Sequence, residues 1–272
     1  MPVVVHSELP GVIEVLRACW EPALLPPKAT STSSFPAELA LQVSSSGSVA
    51  YGARALGQSA SPGGVASLIE GYLLTQMRLD NRNSFLLHAG AVVFGDLLVL
   101  LLGQPGAGKS TFTREALRLG GSYLTDDSLV CEQGNFRGLA RTVHFDAVLE
   151  TELPQLPSYF RDCDLDSSRF SDREGRTWVV PLWRAEFPTL ANFRAEAGKV
   201  MVLQIEHGPV NDTFELSALE RAAALLGASL SAGSPDFRVV PEGPTFHVAW
   251  NEDPAGILKR ALARIQASRS SQ

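Results

Sequence analysis

Hydrophobic and polar positions recur along this chain with periods that change from segment to segment, and those periods define its elements. Short apolar runs at Val3 to Val5, Leu39 to Val43 and Val49 to Ala55 have strand length, and the Pro/Ser/Thr stretch from Pro26 to Pro36 has loop composition. They predict a small β-rich region over residues 1–60. After Pro62-Gly63-Gly64, the residues Val65, Leu68, Ile69, Tyr72, Leu73 and Met77 recur at intervals of three and four, one face of an amphipathic helix. Phe85 to Phe94 and Leu97 to Leu102 read as two strands, and Gly95-Asp96 between them suits a tight hairpin turn. Lys109 to Leu119 returns to helical spacing through Phe112, Ala116 and Leu119, and Gly120-Gly121 suits a left-handed cap. Gly121 to Cys131 reads as one further strand.

Beyond Phe145 the pattern weakens into a Pro-rich stretch from Leu153 to Pro157 and a charged segment from Arg161 to Arg176, read as a mobile loop before Trp178-Val179-Val180. Val200 to Ile205 is a strong strand. Ser217-Ala218-Leu219-Glu220 has the form of a capping box opening a helix to about Leu230, and Phe237 to Trp250 looks like a hairpin. Asp253-Pro254 then sets a cap and a first-position proline ahead of Ile257, Leu258, Ala261, Leu262 and Ile265 on one helical face. The tail from Ser268 is expected to fray. With no internal repeat and no linker composition, a single α/β domain over residues 1–272 is expected.

Composition adds exclusions. The chain is 45% hydrophobic and 19% charged, ordinary globular values, with a net charge of −6. An acidic balance argues against a nucleic-acid-binding surface, which needs clustered Lys and Arg. Cys19, Cys131 and Cys163 are odd in number and far apart, so they read as reduced thiols rather than a zinc or redox set. The first residues lack a basic start and an apolar stretch of signal length, and no run approaches membrane-spanning length; a soluble cytoplasmic protein is expected.

The most specific chemistry sits after the apolar run Leu97 to Leu102. Gly103-Gln104-Pro105-Gly106-Ala107-Gly108-Lys109-Ser110-Thr111 is a complete phosphate-binding loop between a strand and a helix. Glycines let the backbone curl until successive N–H groups face phosphate oxygens, Lys109 reaches the β and γ phosphates, and Ser110 holds Mg²⁺. ATP with Mg²⁺ is the expected ligand set, and residues 85–131 the nucleotide-binding core. A glycine-rich turn that binds nothing is the alternative.

Asp126-Asp127 follows on the very next apolar run. Alternate strand residues face opposite ways, so both carboxylates serve one site only if the strand ends or bends there. One acid would then serve the metal and the other the acceptor, since phosphoryl transfer needs positioned phosphates, a neutralising cation and a group to take the hydroxyl proton. An exposed turn is the alternative. His88, on the run preceding the loop strand, is either a hydrogen-bonded structural residue or a group near the phosphates. Arg169, Arg173 and Arg176, with Arg137 and Arg141, compete for a charge-stabilising role, against a solvated charged loop. Asp162, Asp164 and Asp166 start like a calcium loop, but Ser167 stands where glycine is needed and Arg173 where a glutamate is needed.

Leu87-His88-Ala89-Gly90-Ala91, Gly95-Asp96, Gly103 to Thr111 and Gly121 to Asp127, in this order, resemble the catalytic core of HPr kinase/phosphorylase and its shorter relatives. The resemblance covers residues 85–131 and continues faintly to the Pro254 helix. It implies a phosphoenolpyruvate-carboxykinase-like P-loop kinase core with a mixed sheet. It also implies Lys109 on phosphate, Ser110 and Asp127 on Mg²⁺, Asp126 as general base, and His88 supporting the base or the phosphates. A separate N-terminal domain of that enzyme's kind and a copy of its downstream signature are not expected from these residues. Stand-alone relatives that phosphorylate peptides, including tailoring kinases of lasso-peptide clusters, or free serine are closer in shape. The expectation is an ATP-dependent kinase acting on a hydroxyl, a serine of a peptide or protein first. A small-molecule kinase and a non-catalytic ATP-binding module are the alternatives. Homo-oligomerisation follows from the resemblance alone.

Overall fold

The computed structural model describes residues 3–20, 39–80, 84–138, 145–146, 169–171, 177–179, 190, 192–209, 212–231, 236–251 and 253–270. The protein is a mixed α/β chain with several sheets. Where the sequence suggests one domain, the chain divides into two compact units, residues 1–77 with 141–186 and residues 78–140 with 187–272. No Pro/Gly-rich linker marks the first boundary, because it falls inside a helical stretch. Among the described residues no helix is long and apolar enough to cross a membrane.

In the first unit, β1 (Val3–Ser7), β2 (Leu39–Val43), β3 (Ser48–Tyr51) and β4 (Arg54–Gln58) form a sheet in that order, with β1 parallel to β2 and the rest antiparallel. The apolar run 49–55 is therefore broken, at a turn where Gly52 takes φ 56°. Helix α1 (Val12–Trp20), which the short-run reading passes over, packs Val12, Val15 and Leu16 against Leu41, Val43 and Val49. Helix α2 (Pro62–Asp80) adds Val65, Ala66, Ile69 and Leu73 to the same core, the face expected from its spacing. The charged segment 161–176, expected as a loop, contains a strand. β11 (Phe145–Asp146), β12 (Arg169–Ser171) and β13 (Thr177–Val179) make a small antiparallel sheet with β13 central. The rest of that segment, with Arg141, Arg173, Arg176 and the Pro-rich stretch, lies outside the described residues.

The second unit holds two sheets and carries the phosphate-loop sequence. Its strands are β5 (Phe85–His88), β6 (Gly90–Phe94), β7 (Leu97–Leu102), β8 (Ser122–Thr125), β9 (Ser128–Glu132), β10 (Asn135–Gly138), β14 (Asn192–Arg194), β15 (Val200–His207), β16 (Asp212–Glu215) and β17 (Thr245–Trp250). One sheet runs β16-β17-β15-β7-β6-β8 and is mixed: β7, β15 and β17 are mutually parallel, while β6 and β16 run against their neighbours. The other runs β14-β10-β9-β5 and is antiparallel. The β6–β7 hairpin turns at Gly95-Asp96, with Gly95 at φ 61°, as its sequence requires.

Two single-strand expectations fail here in the same way. The run 85–94 is two strands: β5 pairs with β9 in the four-stranded sheet and β6 with β7 and β8 in the six-stranded one, the chain changing sheets at Ala89. The run 121–131 likewise splits into β8 and β9, changing sheets at Asp126-Asp127. The two crossings lie side by side, since Ala89 N–H donates to Asp127 O at 3.0 Å. Both runs are buried almost throughout, so no alternation of polarity betrays a change of sheet. Leu87, Ala89, Ala91, Leu124 and Leu129 from both sides of the crossings share one core with Leu100, Leu102, Phe136, Val200 and Val202.

Helix α3 (Lys109–Arg118) ends as expected, with Gly120 at φ 91°. Helix α4 (Ala218–Gly227) opens on a capping box in which Ser217 and Glu220 satisfy each other's backbone N–H. It stops before Leu230, whose N–H instead donates to Leu86 O at 2.8 Å. The expected hairpin from Phe237 to Trp250 is a 3-10 turn over Phe237–Val239 followed by β17, which pairs with β15 and β16 instead of folding back on itself. Pro241 and Pro244 cannot donate to a ladder, and Gly243 runs so close to Val200 O that a β-carbon would sit 1.9 Å from it. Helix α5 (Pro254–Ser270) begins as read: Asp253 Oδ1 accepts from Gly256 N–H at 2.8 Å.

Candidate functional site

The loop from Gly103 to Gly108 must turn a fully buried strand into a helix within a few residues, and glycine makes this possible. Gly103, Gly106 and Gly108 have φ 154°, 83° and 99°. A β-carbon on Gly103 would lie 2.5 Å from Ile205 O, so the loop hugs the neighbouring strand β15. Ala107 N–H closes a turn onto Gln104 O at 3.0 Å, with Pro105 and Gly106 at its tip. Lys109 folds back across the loop, and its ammonium donates to Gly103 O at 2.9 Å and Gln104 O at 3.2 Å. Helix α3 has no side-chain cap and no acid in its first turn. The backbone N–H groups of Lys109, Ser110 and Thr111 thus begin a helix at its positive end without a capping side chain.

Asp126 and Asp127 sit in the bend between β8 and β9, and the bend releases them from strand alternation. Asp126 is buried, and its Oδ1 accepts from the equally buried Tyr123 hydroxyl at 3.0 Å. Asp127 is half-buried: Oδ2 accepts from Ser128 Oγ at 2.8 Å, and Oδ1 lies 3.2 Å from His88 Nδ1. The same Nδ1 lies 3.1 Å from Asp127 O, so in the tautomer with its proton on Nδ1 that single N–H faces both oxygens. Resemblance leaves His88 beside the base or the phosphates; the geometry pairs it with Asp127, not with Asp126.

Both carboxylates act on Lys109. Burial pulls its ammonium below the usual lysine value, and Asp127, then Asp126, push it back up. Through His88, Asp127 is also joined to the residues that face Gly103 to Ala107 across one cleft. Beside them opens a cleft of about 800 Å³, bounded by Gly103 to Ala107, His88, the end of β15 and the small residues of α4. Among the described residues no three His, Cys, Asp or Glu side chains cluster to hold a metal by themselves.

Of the five candidate arginines, Arg137 is exposed on β10 and pairs with Glu132 at 3.4 Å, and the Arg169 backbone belongs to the first unit. Sequence reasoning missed Trp250. Its Nε1 donates to Ala107 O at 2.8 Å, and its ring meets Phe112 edge-on at 5.4 Å and His207 at 4.5 Å. A tryptophan at a strand end gives no local signal for a partner so remote in sequence.

No family model matches the chain, and no curated protein matches it. Among solved structures it is similar to the HPr(Ser) kinase/phosphatase from Coxiella burnetii, at 13% identity and a TM-score of 0.33, over 69% of this chain and 99% of that one. This is a distant likeness of backbone that assigns nothing to individual residues.

Proposed function

We propose that the protein is an ATP-dependent kinase that transfers the γ-phosphate to a hydroxyl, the first acceptor class being serine in a peptide or protein. The observation that carries this reading is that His88, paired with Asp127 at 3.2 Å, lines the same cleft as Gly103 to Ala107, beside an uncapped helix start. A binding loop alone needs no carboxylate pair, whereas transfer needs a cation site and a proton acceptor next to the phosphates. In the transfer, the acceptor oxygen bonds to the γ phosphorus, the bond to the ADP oxygen breaks, and the hydroxyl proton passes to a carboxylate.

The Ser110 hydroxyl and one carboxylate are hard oxygen donors. Such donors suit Mg²⁺, which keeps waters and takes phosphate oxygens. Bound there, Mg²⁺ would neutralise charge on the phosphates. The resemblance makes Asp126 the base and Asp127 the metal acid. A second assignment exchanges them, and the His88–Asp127 pair favours it, because His88 opens on the cleft while Asp126 is buried against Tyr123.

Asp126→Asn and Asp127→Asn, each assayed for Mg-ATP binding and for phosphate transfer to a panel of serine peptides, free serine and sugars, separate these readings. Loss of the base lowers turnover by about 10²- to 10⁴-fold with ATP binding kept. Loss of the metal acid weakens Mg-ATP binding itself. Transfer to small hydroxyl compounds but to no peptide moves the acceptor class. Tight ATP binding with no transfer to anything leaves a non-catalytic ATP module and refutes the kinase reading.

A further inference from the structure

Trp250 ends β17 and is buried, and its indole N–H is spent on a single acceptor, the carbonyl of Ala107, 143 residues earlier in the chain. That carbonyl belongs to the Ala107–Gly108 peptide. No peptide bond described here is cis, and in a trans peptide the C=O and the N–H that follows it point in opposite directions. With Ala107 O drawn to the indole, the Gly108 N–H is turned to the opposite side of the loop.

The ring also presses on Gly108 itself, since a β-carbon there would stand 2.3 Å from Cζ2 of Trp250. Trp250 in turn meets Phe112, on the loop's own helix, edge-to-face and the ring of His207 in a tilted contact. The grip falls where the backbone is least self-determined: Gly108 at φ 99° lacks the side chain that would otherwise bias the peptide's rotation.

We infer that Trp250 is a positioning residue for phosphate, holding the Ala107–Gly108 peptide so that the Gly108 N–H joins the donors at the start of α3 before any ligand arrives. The inference rests on the reading of residues 103–111 as a phosphate loop. An unheld peptide would have to be reoriented at each binding event, and fixing it beforehand raises affinity without adding a contact to the ligand. Ligand contacts from Trp250 are not part of the idea. The effect should depend on the phosphate chain alone, whatever nucleoside it carries.

The test uses the full chain with two probes, Mg-ATP and inorganic tripolyphosphate, titrated calorimetrically at 25 °C into the wild type and Trp250→Phe. The phenyl ring keeps an aromatic wall and loses the donor. Both ligands should weaken by the same factor, about five- to tenfold, the size of one hydrogen bond's control over the loop. A merely structural Trp250 would lower the melting temperature yet leave affinity unchanged in the molecules that stay folded, and that result overturns the proposal. Loss of ATP affinity with tripolyphosphate unaffected also overturns it, since it would place Trp250 on the nucleoside. Should Trp250→Phe fail to fold, hydrogen exchange in the wild type decides: an indole N–H protected without ligand together with a Gly108 amide slowed by tripolyphosphate supports the clamp, and either one exchanging at the free rate refutes it. If the wild type binds neither probe, the phosphate-loop reading falls and this inference with it.

Discussion

Gly106 and Gly108 lie in the same loop, both with positive φ, 83° and 99°, but an added methyl group would meet different surroundings. At Gly106 it finds nothing within 4 Å, so Gly106→Ala costs only the left-handed backbone, about 1–2 kcal/mol. At Gly108 it lies 2.3 Å from Cζ2 and 2.9 Å from Cε2 of Trp250, far inside contact distance. The buried ring must move, adding about 1–3 kcal/mol of overpacking. Its hydrogen bond to Ala107 O goes too, about 1 kcal/mol more. Gly108→Ala should therefore cost roughly 3–6 kcal/mol in all, a large share of the stability of an ordinary domain. Urea unfolding of the ligand-free proteins measures both variants, the midpoint shift counting as stability where the slope is unchanged. A double-mutant cycle isolates the cause: in a Trp250→Ala background, Gly108→Ala should cost only the 1–2 kcal/mol of its backbone. Equal costs for the two glycines, or no relief once the indole is gone, would refute the packing argument.

Three further outcomes follow from single groups. Burial holds the Lys109 ammonium below its ordinary value, so the folded protein binds fewer protons there than the unfolded chain, and this site adds stability as pH rises toward 10.5. Lys109→Met should remove that rise in a comparison of melting curves from pH 8 to 11, leave the ligand-free protein at least as stable below it, and weaken Mg-ATP at least about tenfold. Ser217→Ala removes the hydroxyl that accepts from Glu220 N–H, and should lower stability by about 1 kcal/mol in urea titrations with ATP binding unchanged. Cys131 is fully buried and its thiol is pushed well above the usual range, so it should resist a thiol reagent until the chain is unfolded.

Local chemistry was legible in the sequence wherever a short-range rule decides the backbone. The loop glycines, the Gly95-Asp96 turn, the Ser217 box, the Asp253-Pro254 start and the Gly120 stop all appear where residue type demanded them. What escaped was pairing. Leu86 and Val92 are both buried strand residues in one apolar run, and nothing in their side chains says that they belong to different sheets. Trp250 escaped for the same reason, its function residing in a partner brought close by β17 pairing parallel to β15. The division into two units escaped because α2 is helical through the boundary and carries no compositional break.

The change of sheet accounts for the acid pair. In an unbroken strand, neighbouring side chains face opposite sides, and one carboxylate of Asp126-Asp127 would be driven into a core of Leu124, Leu129 and Phe136 while the other looked away from it. An ionised group so placed is too costly to keep without partners. At the crossing the chain bends, both carboxylates come to bear on Lys109, and each finds a hydroxyl, Tyr123 for Asp126 and Ser128 for Asp127. The partner strand must bend at the same place or the two ladders would separate. It does so at Ala89, held by its N–H on Asp127 O, which leaves His88 as the last residue of β5 and sets its ring against Asp127. One irregularity shared by two strands thus delivers the histidine and both acids to the loop. A substitution that merely straightened it, such as Ala89→Val in a site with no exposed surface, should disable the site without removing any polar group from it. Loss of turnover in that variant with nucleotide affinity largely kept would support this account. Full activity in a folded Ala89→Val protein would show that the bend is held by something else.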